Sequence, residues 1–282
     1  NGGEAREPCA LRARAGRPRM TAVALVGGGK MGEALLAGLI EADHSVVVCE
    51  PDELRAASLR KKYGISTGDT RIAVENADVI VLAVKPAMIR GVLDAVGDAI
   101  PAEALVISVA AGITTEVLES GVPDGVAVVR AMPNTPALVG QGMTVLSAGR
   151  HCSADQLEQA KELLESVGRV AVVPESQQDA VTALSGSGPA YVFFVVEAMI
   201  DAAIALGLEP DTAHELAVQT AYGAATMLRE TGDDPIELRE NVTSPGGTTA
   251  AAVERLEEHE VRVAFAAALA AAKIRSEELA SE

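Results

Sequence analysis

The sequence predicts a doubly wound α/β sheet followed by an all-helical segment. Three observations carry this reading. From residue 21 to about 174, short apolar runs alternate with stretches at helical spacing, the rhythm of strand–helix–strand units. A glycine-rich turn joins the first run to the first helix. After Glu175 the short runs stop, and every remaining segment is helical in pattern.

Taken in order, residues 1–19 are rich in Arg, Gly and Pro and hold no hydrophobic stretch, so they do not read as a secretory signal. Met20, followed at once by the first strand, reads as the natural start, and 1–19 as a disordered extension. Residues 23–26 form a buried strand. Gly27, Gly29 and Gly32 then make a G-x-G-x-x-G turn, with Lys30 and Met31 between the last two and a helix from Glu33. The first glycine permits the tight turn, the second lets a pyrophosphate approach the backbone, and the third lets helix and strand pack closely. A second strand at 45–49 ends in Glu50, where a carboxylate can take the hydrogen bond of a ribose 2′-hydroxyl. This is the dinucleotide-binding fingerprint of a Rossmann-like sheet.

Runs at 79–84, 105–109, 126–129 and 170–173 are nearly uninterrupted, as strands of a parallel sheet covered on both faces are. Helical patterns at 53–62, 87–96 and 154–166 lie between them, the last with Ser153 as N-cap. Val84, Lys85 and Pro86 follow one strand at the carboxyl edge of the sheet, where cofactors bind. Beyond Glu175, helices are expected at 177–184, 190–206, 211–231, 235–241, 249–258 and 261–280. The domain division is therefore 1–19, 20–174 and 175–282. Residues 264–274 are apolar almost all round, so that helix should be buried on several sides. A bundle of about 105 residues covers such helices poorly by itself, which predicts a dimer with interleaved helical domains.

Composition narrows the partners. Apolar residues make up 49% of 282, ample for a core, and the net charge of −17 argues against nucleic acid and anionic membranes. Cys9, Cys49 and Cys152 form no C-x-x-C pair and read as free thiols of a reducing cytoplasm, with no metal site. No uninterrupted apolar run approaches the ~18 residues of a membrane helix; Glu197 and Asp201 interrupt the sharpest one, at 192–196.

The segment SPGGTT at 244–249 runs into an apolar-periodic helix. Two glycines leave amides uncovered where a helix starts, and the helix dipole favours an anion there. Ser244, Thr248 and Thr249 add hydroxyls, so the turn suits a small carboxylate without Lys or Arg. Helix capping alone could explain the same residues.

Six segments in order are VGGGKMG at 26–32, AVKP at 83–86, SVAAG at 108–112, RAMPNTP at 130–136, LSGSGPAY at 184–191 and NVTSPGGTT at 241–249. Together they resemble the pyrroline-5-carboxylate reductase family over nearly all of 20–282. The resemblance implies reduction of the ring C=N of 1-pyrroline-5-carboxylate to L-proline by a nicotinamide cofactor. It implies that Gly247, Thr248 and Thr249 bind the substrate carboxylate through backbone amides, with the Thr249 hydroxyl near the ring nitrogen as the catalytic group. It places Ser244 and Asn241 in the same pocket, and Val84, Lys85 and Ala111 along the cofactor cleft. It also implies intertwined helical domains, a site shared between subunits, and higher oligomers. Family members mostly use NADPH, whereas a carboxylate at Glu50 would repel a 2′-phosphate and suits NADH. The cofactor is therefore NADPH or NADH, the preference stays open, and the reading leans toward dual use. A protonated cyclic imine arrives already activated, which suits a site of glycines and hydroxyls without a catalytic His. The four histidines lie in turns or on a polar helix, away from these motifs.

Three rivals stand beside this reading. A β-hydroxyacid dehydrogenase of the same plan needs a Lys on the helix opening the second domain, and 185–205 holds none. A reductase of another cyclic imine could use the same turn. A non-catalytic NAD(P)H sensor would have no use for a second, carboxylate-shaped seat. The PNTP turn at 133–136 suits either nicotinamide packing or a plain turn, and SGSGP at 185–189 either a pocket wall or a close helix crossing.

Overall fold

The structure is a computed structural model that describes residues 21–281; the expected extension at 1–19 lies outside the described residues. The first part of the chain runs β1 (Ala22–Val26), α1 (Lys30–Glu41), β2 (Ser45–Cys49), α2 (Glu53–Tyr63), β3 (Ser66–Thr67), α3 (Thr70–Glu75) and β4 (Val79–Leu82). It continues through α4 (Ile89–Val96), β5 (Leu105–Ser108), α5 (Thr115–Ser120), β6 (Ala127–Met132), β7 (Gly142–Ala148), α6 (Ala154–Leu164) and β8 (Gly168–Val172). Local signals explain the helix ends. Asp52 caps α2 by accepting from the amides of Leu54 and Arg55, and Gly64, left-handed at φ 67°, ends it. Ser153 and Gln156 form a capping box at the start of α6.

One sheet holds all eight strands in the order β3-β2-β1-β4-β5-β6-β7-β8. Strand alternation sends Val23, Leu25, Val79 and Val81 to one face, where they meet Leu35, Leu36 and Leu39 of α1 and Leu163 and Leu164 of α6. Ala24, Val26, Ile80 and Leu82 face the other way, onto Val74, Leu93 and Leu118 of α3, α4 and α5. Both faces are therefore covered, as expected of a doubly wound sheet.

One strand departs from the sequence reading. The run at 170–173, expected as a doubly covered parallel strand, lies in the edge strand β8, where Val172 is 47% exposed. The cause is upstream: β7, not foreseen, pairs antiparallel with β6, and β8 then pairs parallel with β7. The link at 133–141 holds little more than the 3-10 turn Thr135–Val139. A parallel crossover needs a dozen or more residues, so the chain folds straight back.

From Glu175 on the described chain is helical. A 3-10 turn (Glu175–Gln177), α7 (Gln178–Val181) and a π turn (Thr182–Gly186) lead into α8 (Gly188–Ala205), α9 (Pro210–Thr231), α10 (Pro235–Asn241), α11 (Thr248–Glu258) and α12 (Val261–Ser281). A Cβ on Gly186 at the π turn would press on Cε of Met132 at the end of β6, the flexible end of that side chain. A Cβ on Gly188 would meet open space. Asn134 clamps the same junction: its Nδ2 donates to the Ser185 carbonyl (3.1 Å) while its Oδ1 accepts from the Met143 amide (2.9 Å). The PNTP turn is thus a structural clamp.

Beneath this junction lies a polar cluster. Arg130, 4% exposed, reaches Oε1 of Glu175 at 3.3 Å and Oδ1 of Asp179 at 3.9 Å. Glu175 also accepts from Thr115 N and Oγ1, and Asp179 accepts from Ser276 Oγ of α12 at 2.7 Å. Gln178, fully buried, donates to Val145 O and Ser147 Oγ. The last helix is thereby tied to the sheet through α7.

The long helices are far from covered. Phe193 is 66% and Phe194 71% exposed on α8, and Val263, Phe265 and Ile274 are exposed on α12. The continuous helical stretch Glu175–Ala205 is long and apolar enough, by length and composition, to cross a membrane, although the run at 192–196 by itself falls short. None of the apolar 18-residue window within it is buried in one chain. An apolar surface of this extent marks an interaction site.

Candidate active site

The sheet register aligns the strand ends. Val26 pairs with Cys49 on one side and Leu82 on the other, and Leu82 pairs with Ser108. Glu50, Gly27, the 83–86 segment and Ala111 therefore follow neighbouring strands at one edge of the sheet. Of the expected cofactor residues, Gly27, Gly29, Lys30, Met31, Gly32, Glu50, Val84, Lys85, Pro86 and Ala111 all belong to this edge.

The turn itself meets the steric demands of a phosphate cradle. Gly27 has φ +104°, and a Cβ on it would lie 2.6 Å from the Ala83 carbonyl oxygen. A Cβ on Gly32 would collide with the Gly27 carbonyl, while one on Gly29 would meet open space. The helix α1 starts at Lys30, earlier than the expected Glu33, with Gly29 as a cap that offers no side chain. Its first amides are thus uncovered beside an open backbone, and the residues present fit a dinucleotide pyrophosphate.

Contacts unforeseen in the sequence brace this turn. Glu50 Oε2 accepts from Gly28 N at 2.8 Å, and its Oε1 accepts from Asp52 N at 2.9 Å. Arg55 Nε donates to the Gly28 carbonyl at 2.6 Å, and its Nη2 reaches Glu33 at 2.5 Å. Glu33 also accepts from Lys62 and Tyr63. The Lys62 ammonium, then the Arg55 guanidinium, hold the Glu33 carboxyl at about 2, down from 4.5. Lys85 is exposed at the start of a 3-10 turn, and Ala111 is half-buried.

The second expected element stands apart. Asn241 ends α10, and Ser244 begins the turn into α11. Gly247 N donates to the Ser244 carbonyl at 3.0 Å, and Gly246 has φ +69°. A Cβ on Gly247 would sit 2.5 Å from Ser244 Oγ, so glycine shapes the turn and its own amide closes it. The amides of Thr248 and Thr249 follow with no side-chain cap. Asn241, Ser244 and Thr248 are exposed; Gly247 and Thr249 are half-buried. Among the described residues, the hydrogen bonds of 243–249 outside the ladder of α11 itself stay within 239–251. Among the described residues, no hydrogen bond links Asn241, Ser244, Gly247, Thr248 or Thr249 to the cofactor edge.

Titratable chemistry is scarce. Cys49 and Cys152 are free, and burial pushes the Cys49 thiol up to about 11, so it stays protonated. Among the described residues no group of three or more His, Cys, Asp or Glu is arranged to hold a metal.

Known proteins resemble both halves. A family model for pyrroline-5-carboxylate reductase dimerisation matches residues 175–279. One for coenzyme F420-dependent NADP oxidoreductases matches residues 22–112. A pyrroline-5-carboxylate reductase of Corynebacterium melassecola is 49% identical over 92% of this chain and 99% of its own. The structure of one from Coxiella burnetii superposes with a TM-score of 0.88 at 40% identity, covering 93% of this chain and 99% of that one. The Plasmodium falciparum pyrroline carboxylate reductase, solved with NADP bound, gives 0.82 at 28% identity, over 92% and 98%. With both halves matched and this identity along nearly its whole length, the chain belongs to the pyrroline-5-carboxylate reductase family.

Proposed function

We propose that this chain reduces the ring C=N of 1-pyrroline-5-carboxylate to L-proline, the last step of proline biosynthesis, as an NAD(P)H-dependent homo-oligomer. The observation that carries it is the pairing of two uncapped, glycine-built helix starts. One, at Gly29, suits a pyrophosphate; the other, after Gly247, suits a carboxylate. The nicotinamide supplies the hydride when bound. Gly27, Gly29 and Gly32 hold the dinucleotide, with Lys30, Met31, Glu50, Val84, Lys85, Pro86, Ala111 and Asn241 around it. Thr248 and Thr249 donate amides to the substrate carboxylate, in a turn shaped by Ser244 and Gly247. The Thr249 hydroxyl faces the ring nitrogen and steadies its proton.

Residues 20–174 serve as the cofactor domain and 175–282 as the substrate and dimerisation domain. The exposed faces of α8 and α12 support burial against a second copy. The Thr249 turn makes no described hydrogen bond to the cofactor edge of its own chain, and a site completed by that copy fits this. Cytoplasmic residence belongs to the same reading, since a reducing compartment keeps Cys49 and Cys152 as thiols.

Proline itself tests the proposal. A reductase binds its product, so proline added to the cofactor-loaded protein should change the bound-cofactor fluorescence in a saturable way. A flat titration, with the cofactor shown to be bound, would favour a dinucleotide sensor instead.

A further inference from the structure

We propose that Glu50 makes the cofactor edge select NADH over NADPH, an inference that rests on the reading of Gly27–Gly32 as a dinucleotide site. At the end of β2 a carboxylate faces the ribose hydroxyls of a bound dinucleotide. Here it is fixed in place. Oε2 takes the Gly28 amide at 2.8 Å and Oε1 the Asp52 amide at 2.9 Å, so the group cannot swing aside without giving up two backbone donors. A carboxylate has about four lone-pair sites, which leaves acceptors for the two hydroxyls of an unmodified ribose. A 2′-phosphate, at roughly −1.5 to −2 charges, would instead meet a fixed negative charge.

Three of the cations near it are engaged elsewhere. Arg55 lies inward, with Nε on the Gly28 carbonyl at 2.6 Å and Nη2 on Glu33 at 2.5 Å. Lys62 meets the other oxygen of Glu33 at 2.8 Å. Arg60 is held between Thr67 at 2.6 Å and Glu53 at 2.5 Å. Asp52 and Glu53, both exposed, add negative charge beside Glu50. Lys30, Lys61, Lys62 and Lys85 are the exposed cations of this region, and of these Lys62 is paired with Glu33. Arg55 therefore braces the backbone of the turn, and Glu50 reads the ribose.

Equilibrium binding of NADH and NADPH to the full-length protein, followed by the fluorescence of the bound reduced nicotinamide without substrate, tests this. NADH should bind at least about tenfold more tightly, the discrimination of one like-charge contact. Glu50→Gln keeps an oxygen for the Gly28 amide and removes the charge, so the ratio should shift toward NADPH by about tenfold. Arg55→Gln should weaken both cofactors by the same factor, because the loosened turn serves both. Three results would each overturn the proposal: equal or tighter binding of NADPH by the wild type, as when Lys30 or Lys61 draws the phosphate; an unchanged ratio in Glu50→Gln; or a selective loss of NADPH in Arg55→Gln. If the folded protein binds neither cofactor, the dinucleotide site itself is refuted and the selectivity with it. Good binding of both at parity refutes the selectivity alone.

Discussion

Single residues carry the chemistry through backbone as much as side chain. Thr249 offers the one hydroxyl assigned to the substrate nitrogen, so Thr249→Ala should lower kcat by ~10²-fold, the worth of one positioned proton-handling group. Its cofactor affinity should stay as in the wild type, and an unchanged kcat would remove Thr249 from the mechanism. Gly32 acts by having no side chain. Gly32→Ala drives a methyl group into the Gly27 carbonyl, so cofactor affinity should fall by tenfold or more, with about 1–3 kcal/mol of stability lost to overpacking. Binding and urea titrations check both. Glu33 ties the turn to α2, and Lys62 and Arg55 depress its carboxyl to about 2. A depressed acid stabilises fully above its unfolded value of 4.5, and that contribution is lost as pH falls toward 2. Unfolding midpoints between pH 6 and 2.5 should drop less steeply in Glu33→Gln. Equal slopes would show that the pair does not stabilise the fold. The glycines were legible in the sequence because their spacing is local. The braces were not: Glu50 and Arg55 act on Gly28 from 22 and 27 positions away.

At the scale of elements, Arg130 is the informative exception, a charge inside the buried strand β6. It meets Glu175 and Asp179 where the sheet gives way to helices, and Ser276 brings α12 to the same point. Removing one partner of a buried pair strands the other charge. Both carboxylates keep some contact with water, at 29% and 23% exposure, so Arg130→Met should cost about 2–3 kcal/mol, below the usual 3–5. A shift in the urea midpoint measures it, and a cost under about 0.5 kcal/mol would mean the pair is marginal. Strands of unbroken Val, Ile and Leu were readable because burial on both faces leaves no polar positions. The direction of β8 was not, since strand polarity is set by the length of the connection at 133–141 and not by the strand's own residues. Thr144 and Ser147 explain why β7 escaped notice: both are buried polar residues that interrupt its apolar run.

As a whole, the molecule joins a well-covered sheet to helices with their apolar sides bare. The apolar stretch 264–274 predicted this, because a helix without a polar face needs neighbours on every side. In the fold those neighbours are missing within one chain, and Phe193, Phe194 and Phe265 stand exposed. Light scattering should report a dimer or larger assembly. Phe194→Glu should shift it toward monomer and lower turnover more than tenfold while helix content persists, because a charge cannot be buried unpaired at an interface. An active monomer would refute the shared site.

The most direct measurement follows the nicotinamide absorbance band while the purified protein meets 1-pyrroline-5-carboxylate with NADH or NADPH. Loss of the band with stoichiometric L-proline is the predicted result, faster with NADH at equal concentrations below saturation. No oxidation of either cofactor by the folded oligomer would contradict the assigned reaction.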